Sequence, residues 1–303
     1  SGSECRSAPG LMTTLLAGDI GGTKTLLAIY ALEGDRLSQQ RAERFVSADW
    51  ADFGELAYHF LAAESSSTRP SHACFAVAGP VRQGRVKLTN LPWQLEQSAL
   101  ASQCGLLQVD LVNDFAVLIY GLPHVQADQH TLLKPAAAGA DPQAPVAILG
   151  AGTGLGVAIG VPTTAGLKAM ASEASHAEFA PRNEAEWQLK CWLKQDLQIE
   201  RVSIERVVSG TGLGEVMRWL LATDPDAAGH PLTLVDSNER PAATATAAAA
   251  GDPLARRAMD LWLGAYGSAA GDLALQTLCS GGLWVGGGTA GKLLNELQST
   301  AFL

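Results

Sequence analysis

Two short runs of glycine and threonine carry the first chemical signal in this sequence: Gly18-Asp19-Ile20-Gly21-Gly22-Thr23 and Gly150-Ala151-Gly152-Thr153-Gly154-Leu155-Gly156. Glycine lets the backbone curl close to a ligand, so that successive N–H groups face anionic oxygens. In the first run the amides of Gly21, Gly22 and Thr23, with the Thr23 hydroxyl, can face phosphate, and the Asp19 carboxylate can hold a divalent cation directly or through water. Gly152, Thr153 and Gly154 repeat the device. The first run alone leaves a plain tight turn open as the alternative, because Gly-Gly turns are common. Two such turns, far enough apart to lie in different domains, read instead as a phosphate clamp.

Two better-known phosphate motifs are excluded. Gly150 to Gly156 misses G-x-G-x-x-G because Leu155 takes the last glycine position, and no ribose-binding acid follows at the end of a strand. Gly286 to Leu293 (GGGTAGKL) nearly matches a P-loop, but Leu293 replaces the hydroxyl that would ligate the metal. Gly286, Gly287 and Gly288 follow the apolar strand Leu283-Trp284-Val285 and could let a flat base lie close to the backbone. Asn113-Asp114 places a carboxylate where a strand hands over to a helix. Taken alone, Asp114 there is better read as a helix N-cap.

The elements that must position these residues alternate between strand and helix. Leu15 to Ala17 and Leu26 to Tyr30 form a hairpin around the first glycine run, and Val146 to Val161 forms a second around the other. A strand at Cys74 to Ala78 and the strand-to-helix step at Leu111 to Ala116 complete an α/β pattern. Pro135 to Pro145 and Thr223 to Pro241 read as linkers or surface loops. From Pro253 to Leu278 a broad apolar face at helical spacing, including Tyr266, Leu275 and Leu278, predicts a core helix. The boundary between two domains is expected near Leu122 to Pro145, dividing residues 12–122 from 123–303.

Bulk properties agree. At 303 residues the chain is long enough for two domains, and 47% hydrophobic against 17% charged residues is an ordinary globular balance. A net charge of −9 argues against nucleic acid or an anionic lipid surface as partner, so an anionic ligand must be gripped locally. Cys5, Cys74, Cys104, Cys191 and Cys279 are scattered, which suits reduced thiols in a cytoplasmic protein. No apolar run reaches the length of a membrane helix, and the residues before Met12 lack the apolar core of a signal peptide.

Taken in order, these residues resemble the actin-like sugar kinase superfamily, and within it the bacterial glucokinase family. The match runs from Gly18–Thr23 through Ala78-Gly79-Pro80-Val81, Leu88-Thr89-Asn90 with Trp93, and Asn113-Asp114-Phe115 to the second hairpin. It continues through Glu173, His176, Phe179-Ala180-Pro181, Glu205-Arg206-Val207, Ser209-Gly210 and the glycines at 286–288. The resemblance implies a two-domain actin-like (ribonuclease H-like) α/β fold with a cleft between the domains. It implies phosphorylation of glucose at its 6-hydroxyl by ATP and Mg²⁺, feeding glycolysis, in a cytoplasmic homodimer. Asp114 would be the general base, and Asn113, Glu173, His176 and Glu205 the sugar contacts. Asp19 with Gly21, Gly22, Thr23, Gly152, Thr153, Gly154, Gly286, Gly287 and Gly288 would hold the nucleotide and its metal. Zinc is not expected, because His176 is followed by Ala177-Glu178 rather than by a cysteine cluster.

Two departures are visible. Ala174 and Ser175 stand where the family has glycines, which puts sugar selectivity in question. The chain ends at Leu303, where the resemblance implies a further strand and helix. A kinase for another hexose or amino sugar, and polyphosphate as donor, remain open at this level. A silent sugar sensor or repressor on the same fold is disfavoured by the acidic charge and by the absence of a helix-turn-helix segment before Met12.

Overall fold

A computed structural model describes residues 13–34, 36–88 and 90–303. The tail before Met12, Cys5 and Thr89 lie outside the described residues. The chain divides into two compact units, one ending at Leu118 and the other running from Ile119 to Leu303. The division falls a few residues ahead of the 122/123 boundary expected above. Ile119 is fully buried and lies against Gly160 of the second unit, where an added Cβ would come within 2.7 Å of it.

The first unit begins as a meander of β1 (Thr13–Ile20), β2 (Lys24–Glu33) and β3 (Arg36–Val46). It continues with α1 (Phe53–Leu61), β4 (His72–Val77), the short pair β5 (Arg85–Lys87) and β6 (Gln94–Glu96), α2 (Gln97–Cys104) and β7 (Gln108–Asn113). The main sheet has the order β3-β2-β1-β4-β7, antiparallel across β1, β2 and β3 and parallel across β1, β4 and β7. Strand β3 is polar and mostly exposed, as suits an edge. Asp52 caps α1 by accepting the Glu55 N–H at 2.9 Å. Phe53, Leu56, Phe60 and Leu61 of α1 are buried in the unit's core, where Phe53 meets Phe75 edge to face at 4.8 Å.

A short helix, α3 (Val117–Gly121), leads into the second unit, which repeats the opening of the first. Strands β8 (Val146–Ala151), β9 (Leu155–Thr163) and β10 (Gly166–Ser172) form another antiparallel meander. Helices α4 (Glu184–Leu197), α5 (Ile204–Val207), α6 (Gly210–Thr223), α7 (Arg240–Ala249) and α8 (Pro253–Thr277) follow, then β11 (Gly282–Gly286) and α9 (Leu294–Leu297). The sheet order is β10-β9-β8-β11, with β11 parallel to β8. Strand β8 reads as a continuous apolar run because both of its faces are covered. No helix among the described residues is long and apolar enough to cross a membrane.

One sequence expectation is refined and another corrected. Thr223 to Pro241 is largely exposed, as expected of a surface loop, but it is not plain coil: it begins in the last turn of α6, contains one-turn helices at Pro225–Ala227 and Pro231–Leu234, and ends inside α7. Each proline stands at the start of a turn, where its missing N–H costs nothing, and Ala227 and Leu232 are buried. Leu275 and Leu278, read as part of the apolar face of α8, are 75% and 74% exposed. At about 100° per residue, Leu275 points away from the side that buries Leu273, and Leu278 already lies beyond the helix in a left-handed cap.

Two glycines test this packing in opposite directions. A Cβ on Gly150 would fall 2.7 Å from the Gly286 backbone carbonyl across the β8–β11 pair, whereas one on Gly271 of α8 meets nothing within 4 Å. Gly150→Ala is expected to cost about 1–3 kcal/mol. Gly271→Ala is expected to add about 0.5–1 kcal/mol by removing unfolded-state freedom. Urea midpoints of the two variants should therefore move to opposite sides of the parent.

Candidate active site

In the first unit the parallel strands end in a common row. Ile20 on β1 aligns with Val77 on β4, and Val77 aligns with Asn113 on β7. The backbones of the Asp19–Thr23 turn and of Asn113-Asp114 therefore lie two strand spacings apart, about 10 Å, at the carboxyl ends of the strands where open α/β sheets bind ligands. Asp19 is exposed and makes no ion pair or side-chain hydrogen bond among the described residues.

The turn between β1 and β2 is held from below. Gly21 N–H donates to the Lys24 carbonyl at 3.0 Å. Ser47, fully buried just after β3, donates its N–H to the Thr23 carbonyl at 3.0 Å and its hydroxyl to the Gly21 carbonyl at 3.0 Å, and shares a hydrogen bond with the buried Thr25 hydroxyl. With those carbonyls turned inward, the turn's remaining N–H groups are free to face outward. Gly22 packs so close to Asn90 that a Cβ would come within 2.9 Å of it.

The Asn113 side chain braces the corner where β7 hands over to α3. Its Oδ1 accepts the N–H groups of Phe115 and Ala116 at 3.1 and 2.9 Å, and its Nδ2 donates to the Gly79 carbonyl at 3.1 Å and to Asp114 Oδ1 at 3.2 Å. Both donor hydrogens and both acceptor positions of the Asn113 amide are used within the chain, which fixes where the Asp114 carboxylate stands. Gly79 has φ +105, a conformation that favours glycine, and this is what aims its carbonyl at Asn113.

In the second unit the turn between β8 and β9 is gripped on every side. Gly152 N–H donates to Gly154 O at 2.8 Å, and Gly152 O accepts from Gly210 N–H at 2.7 Å at the start of α6. Thr211 Oγ1 donates to Thr153 O at 2.9 Å. Ala151 N–H donates to the buried Tyr266 hydroxyl at 3.1 Å, and Ala151 O accepts from Thr289 Oγ1 at 2.7 Å. Burial pushes the Tyr266 phenol up to about 12, only partly offset by its bond to Ala151, so the group stays a neutral hydroxyl. Gly287, at φ +82, brings the 286–288 loop against Gly150 and Ala151.

Beside this turn the structure gathers Glu173, His176 and Glu205. His176 Nε2 lies 3.6 Å from Glu173 Oε2, and its Nδ1 lies 4.0 Å from Glu205 Oε1. The other carboxylate oxygen of Glu205 accepts the Leu155 N–H at 2.8 Å. Ala174 and Ser175 form a one-turn helix between Glu173 and His176 without any positive φ, so this turn does not need the family's glycines. The following segment is anchored by Lys190, which donates to Phe179 O and pairs with Glu178, and by the fully buried Glu186 carboxylate, which binds Arg182.

The predicted residues thus fall into two sets, one per unit. Asp19, Gly21–Thr23, Asn113 and Asp114 belong to the first, and Gly152–Gly154, Glu173, His176, Glu205 and Gly286–Gly288 to the second. Sequence reasoning missed Ser47, Tyr266, Thr211 and Thr289, which hold the turns. Thr289 directly follows the third glycine run and was open to notice. Ser47 and Tyr266 gave no local signal, and Tyr266 reads only as one more apolar position of α8.

The family model described as Glucokinase matches residues 16–303. The chain is 40% identical to a glucokinase of Nostoc sp. over 96% of this chain and 89% of the relative. Among solved structures, a glucokinase from an Antarctic psychrotroph superposes with a TM-score of 0.80 at 30% identity, covering 96% of this chain and 87% of that one. A ROK family glucokinase from Streptomyces griseus, in complex with glucose and AMPPNP, shares the fold at a TM-score of 0.58 and 20% identity, covering 95% and 87% of the two chains.

The Ser47 contacts make a specific prediction. Ser47→Ala leaves the Gly21 carbonyl and the Thr25 hydroxyl without their buried partner and is expected to cost about 1–3 kcal/mol of stability. If the turn grips phosphate, as its glycine run leads one to expect, the change should also raise KM for the phosphate donor more than KM for the acceptor. Urea denaturation and steady-state kinetics read the two effects, and an unchanged donor KM would remove Ser47 from the site.

Proposed function

The chain belongs to the glucokinase family and phosphorylates glucose with ATP, and on that premise we propose how its residues divide the work. Asp114 is the general base. It accepts the proton of the glucose 6-hydroxyl as that oxygen attacks the γ-phosphorus, and ADP departs with the electrons of the broken P–O bond. The observation that carries this assignment is the Asn113 amide, which spends all its hydrogen bonds on fixing Asp114 and the loop beside it. A base that must meet one hydroxyl in line with one phosphorus needs such positioning more than it needs reactivity.

Phosphate charge is met by backbone N–H groups at Gly21–Thr23 and Gly152–Gly154, with Gly286–Gly288 taking the adenosine. Glu173, His176 and Glu205 read the sugar hydroxyls. Carboxylates accept from hydroxyls, and imidazole donates or accepts at each nitrogen, so the trio suits a ring of vicinal hydroxyls. Asn113 reaches the sugar only if it gives up an internal bond, so its part is chiefly to orient Asp114.

Mg²⁺ fits this donor set: Asp19 offers an exposed hard-oxygen ligand at the edge of a phosphate turn, and Mg²⁺ characteristically takes one or two carboxylates along with phosphate oxygens and water. When bound, the ion would neutralise charge on the phosphates. The reading includes no zinc, since Ala177 and Glu178 follow His176. Assembly as a homodimer in the cytoplasm rests on the family resemblance, and sedimentation would test the dimer.

Asp114→Asn keeps the shape and the Asn113 contact but cannot take the proton. We expect kcat to fall by about a hundredfold or more, with the glucose Kd within about threefold of the parent. A coupled assay with tryptophan-fluorescence titration measures both. Turnover within about threefold of the parent would overturn the base assignment.

A further inference from the structure

Glu205 turns its two carboxylate oxygens toward two different groups. Oε2 accepts the Leu155 N–H at 2.8 Å, at the first residue of β9 and immediately after the Gly152–Gly154 turn. Oε1 faces His176 Nδ1 at 4.0 Å, and His176 in turn faces Glu173. The carboxylate reaches the hairpin only because residue 154 has no side chain. A methyl group there would overlap Oε2 and approach the carboxyl carbon to 3.2 Å.

The backbone behind Glu205 is tied to the same turn. Its carbonyl accepts the Ser209 hydroxyl at 2.8 Å, and that hydroxyl accepts Gly212 N–H at 2.9 Å to cap α6. The next residue, Gly210, donates to Gly152 O at 2.7 Å. Trp262 Nε1 donates to the Ser209 carbonyl at 2.9 Å and pins this corner to α8. The main chain is thus fixed, and the freedom that remains lies in the partly exposed Glu205 side chain.

From this we infer that Glu205 is a positioning residue that couples the two ligands: a sugar hydroxyl drawn to Oε1 orients the carboxylate whose Oε2 holds the phosphate turn through Leu155. The inference rests on the assignment of Glu205 as a sugar contact and adds that glucose and nucleotide bind with positive cooperativity through one hydrogen bond within the second unit. A sugar hydroxyl donating to Oε1 fixes the carboxylate plane, so Leu155 N–H meets a preset acceptor and the turn needs less ordering when phosphate arrives. By linkage, the nucleotide must tighten glucose by the same factor.

The test titrates the full chain with the non-hydrolysable nucleotide AMPPNP, with and without saturating glucose. In the parent, glucose is expected to lower the AMPPNP Kd by about fivefold or more, the lower range of allosteric coupling. Gly154→Ala, which displaces Oε2, and Glu205→Gln, which puts an N–H donor where one of the two accepting oxygens stands, are each expected to bring that ratio below about twofold. Thr211→Val loosens the same turn from its other side without touching Glu205 and should keep the parent ratio. Melting curves establish that each variant is folded.

A parent ratio of one, or an unchanged ratio in Gly154→Ala and Glu205→Gln, overturns the inference. So does equal loss in Thr211→Val, which would show general slackening of the turn. If the ratio is unchanged while Glu205→Gln weakens glucose, only the coupling fails and the sugar contact stands. If Glu205→Gln leaves the glucose Kd unchanged, the sugar contact itself is wrong and the inference falls with it.

Discussion

A glycine turn left to itself samples many shapes, and ordering each residue costs about 1–2 kcal/mol of backbone entropy. A turn that grips phosphate must already hold its N–H groups outward when the ligand arrives, or that entropy is subtracted from affinity. The architecture answers this constraint by binding the turn carbonyls from behind. Ser47 takes the carbonyls of Gly21 and Thr23, and Gly210, Thr211 and Thr289 take those of Gly152, Thr153 and Ala151. With these carbonyls engaged, the peptide planes that carry them are held in place.

The acidity of the chain follows the same logic. A net charge of −9 argues against broad electrostatic attraction of a polyanion. Backbone dipoles provide a local positive field without a mobile cationic side chain, and an exposed carboxylate such as Asp19 becomes an asset once a divalent cation accompanies the phosphates. The second unit places three titratable side chains, Glu173, His176 and Glu205, around one corner, and among the described residues Glu205 is the one of the three that accepts a hydrogen bond from the β9 backbone. On the proposed reading, that contact distinguishes a residue that can act on the turn from its neighbours.

A meander followed by a parallel strand recurs in the two units. Both hairpins keep the glycine turn between the first two strands, and in both units the partner strand beside β1 or β8 runs parallel. The additions differ. The first unit extends its sheet to β7 and brings Asn113-Asp114 to the strand ends, while the second covers its sheet with α8 and supplies Tyr266 to the turn.

Much of this was legible in the sequence because it is written in short-range chemistry. Glycine runs between apolar strands dictate turns, the period of α8 dictates a helix, and Asn-Asp at a strand end dictates a polar corner; each depends on residues within a few positions of one another. The ordered series of motifs carried the family and with it the pairing of Glu173, His176 and Glu205. Other features were decided only by tertiary structure. How the Asn113 amide is engaged depended on Gly79, 34 residues away, presenting its carbonyl. The roles of Ser47 and Tyr266 depended on contacts across 26 and 115 residues, and Leu275 and Leu278 were exposed because the end of α8 turns that side away from the core. The physical reason is common to all of them: local sequence determines which backbone groups a segment leaves unpaired, but the partner for each is chosen by whichever distant side chain the packed fold brings within hydrogen-bonding reach.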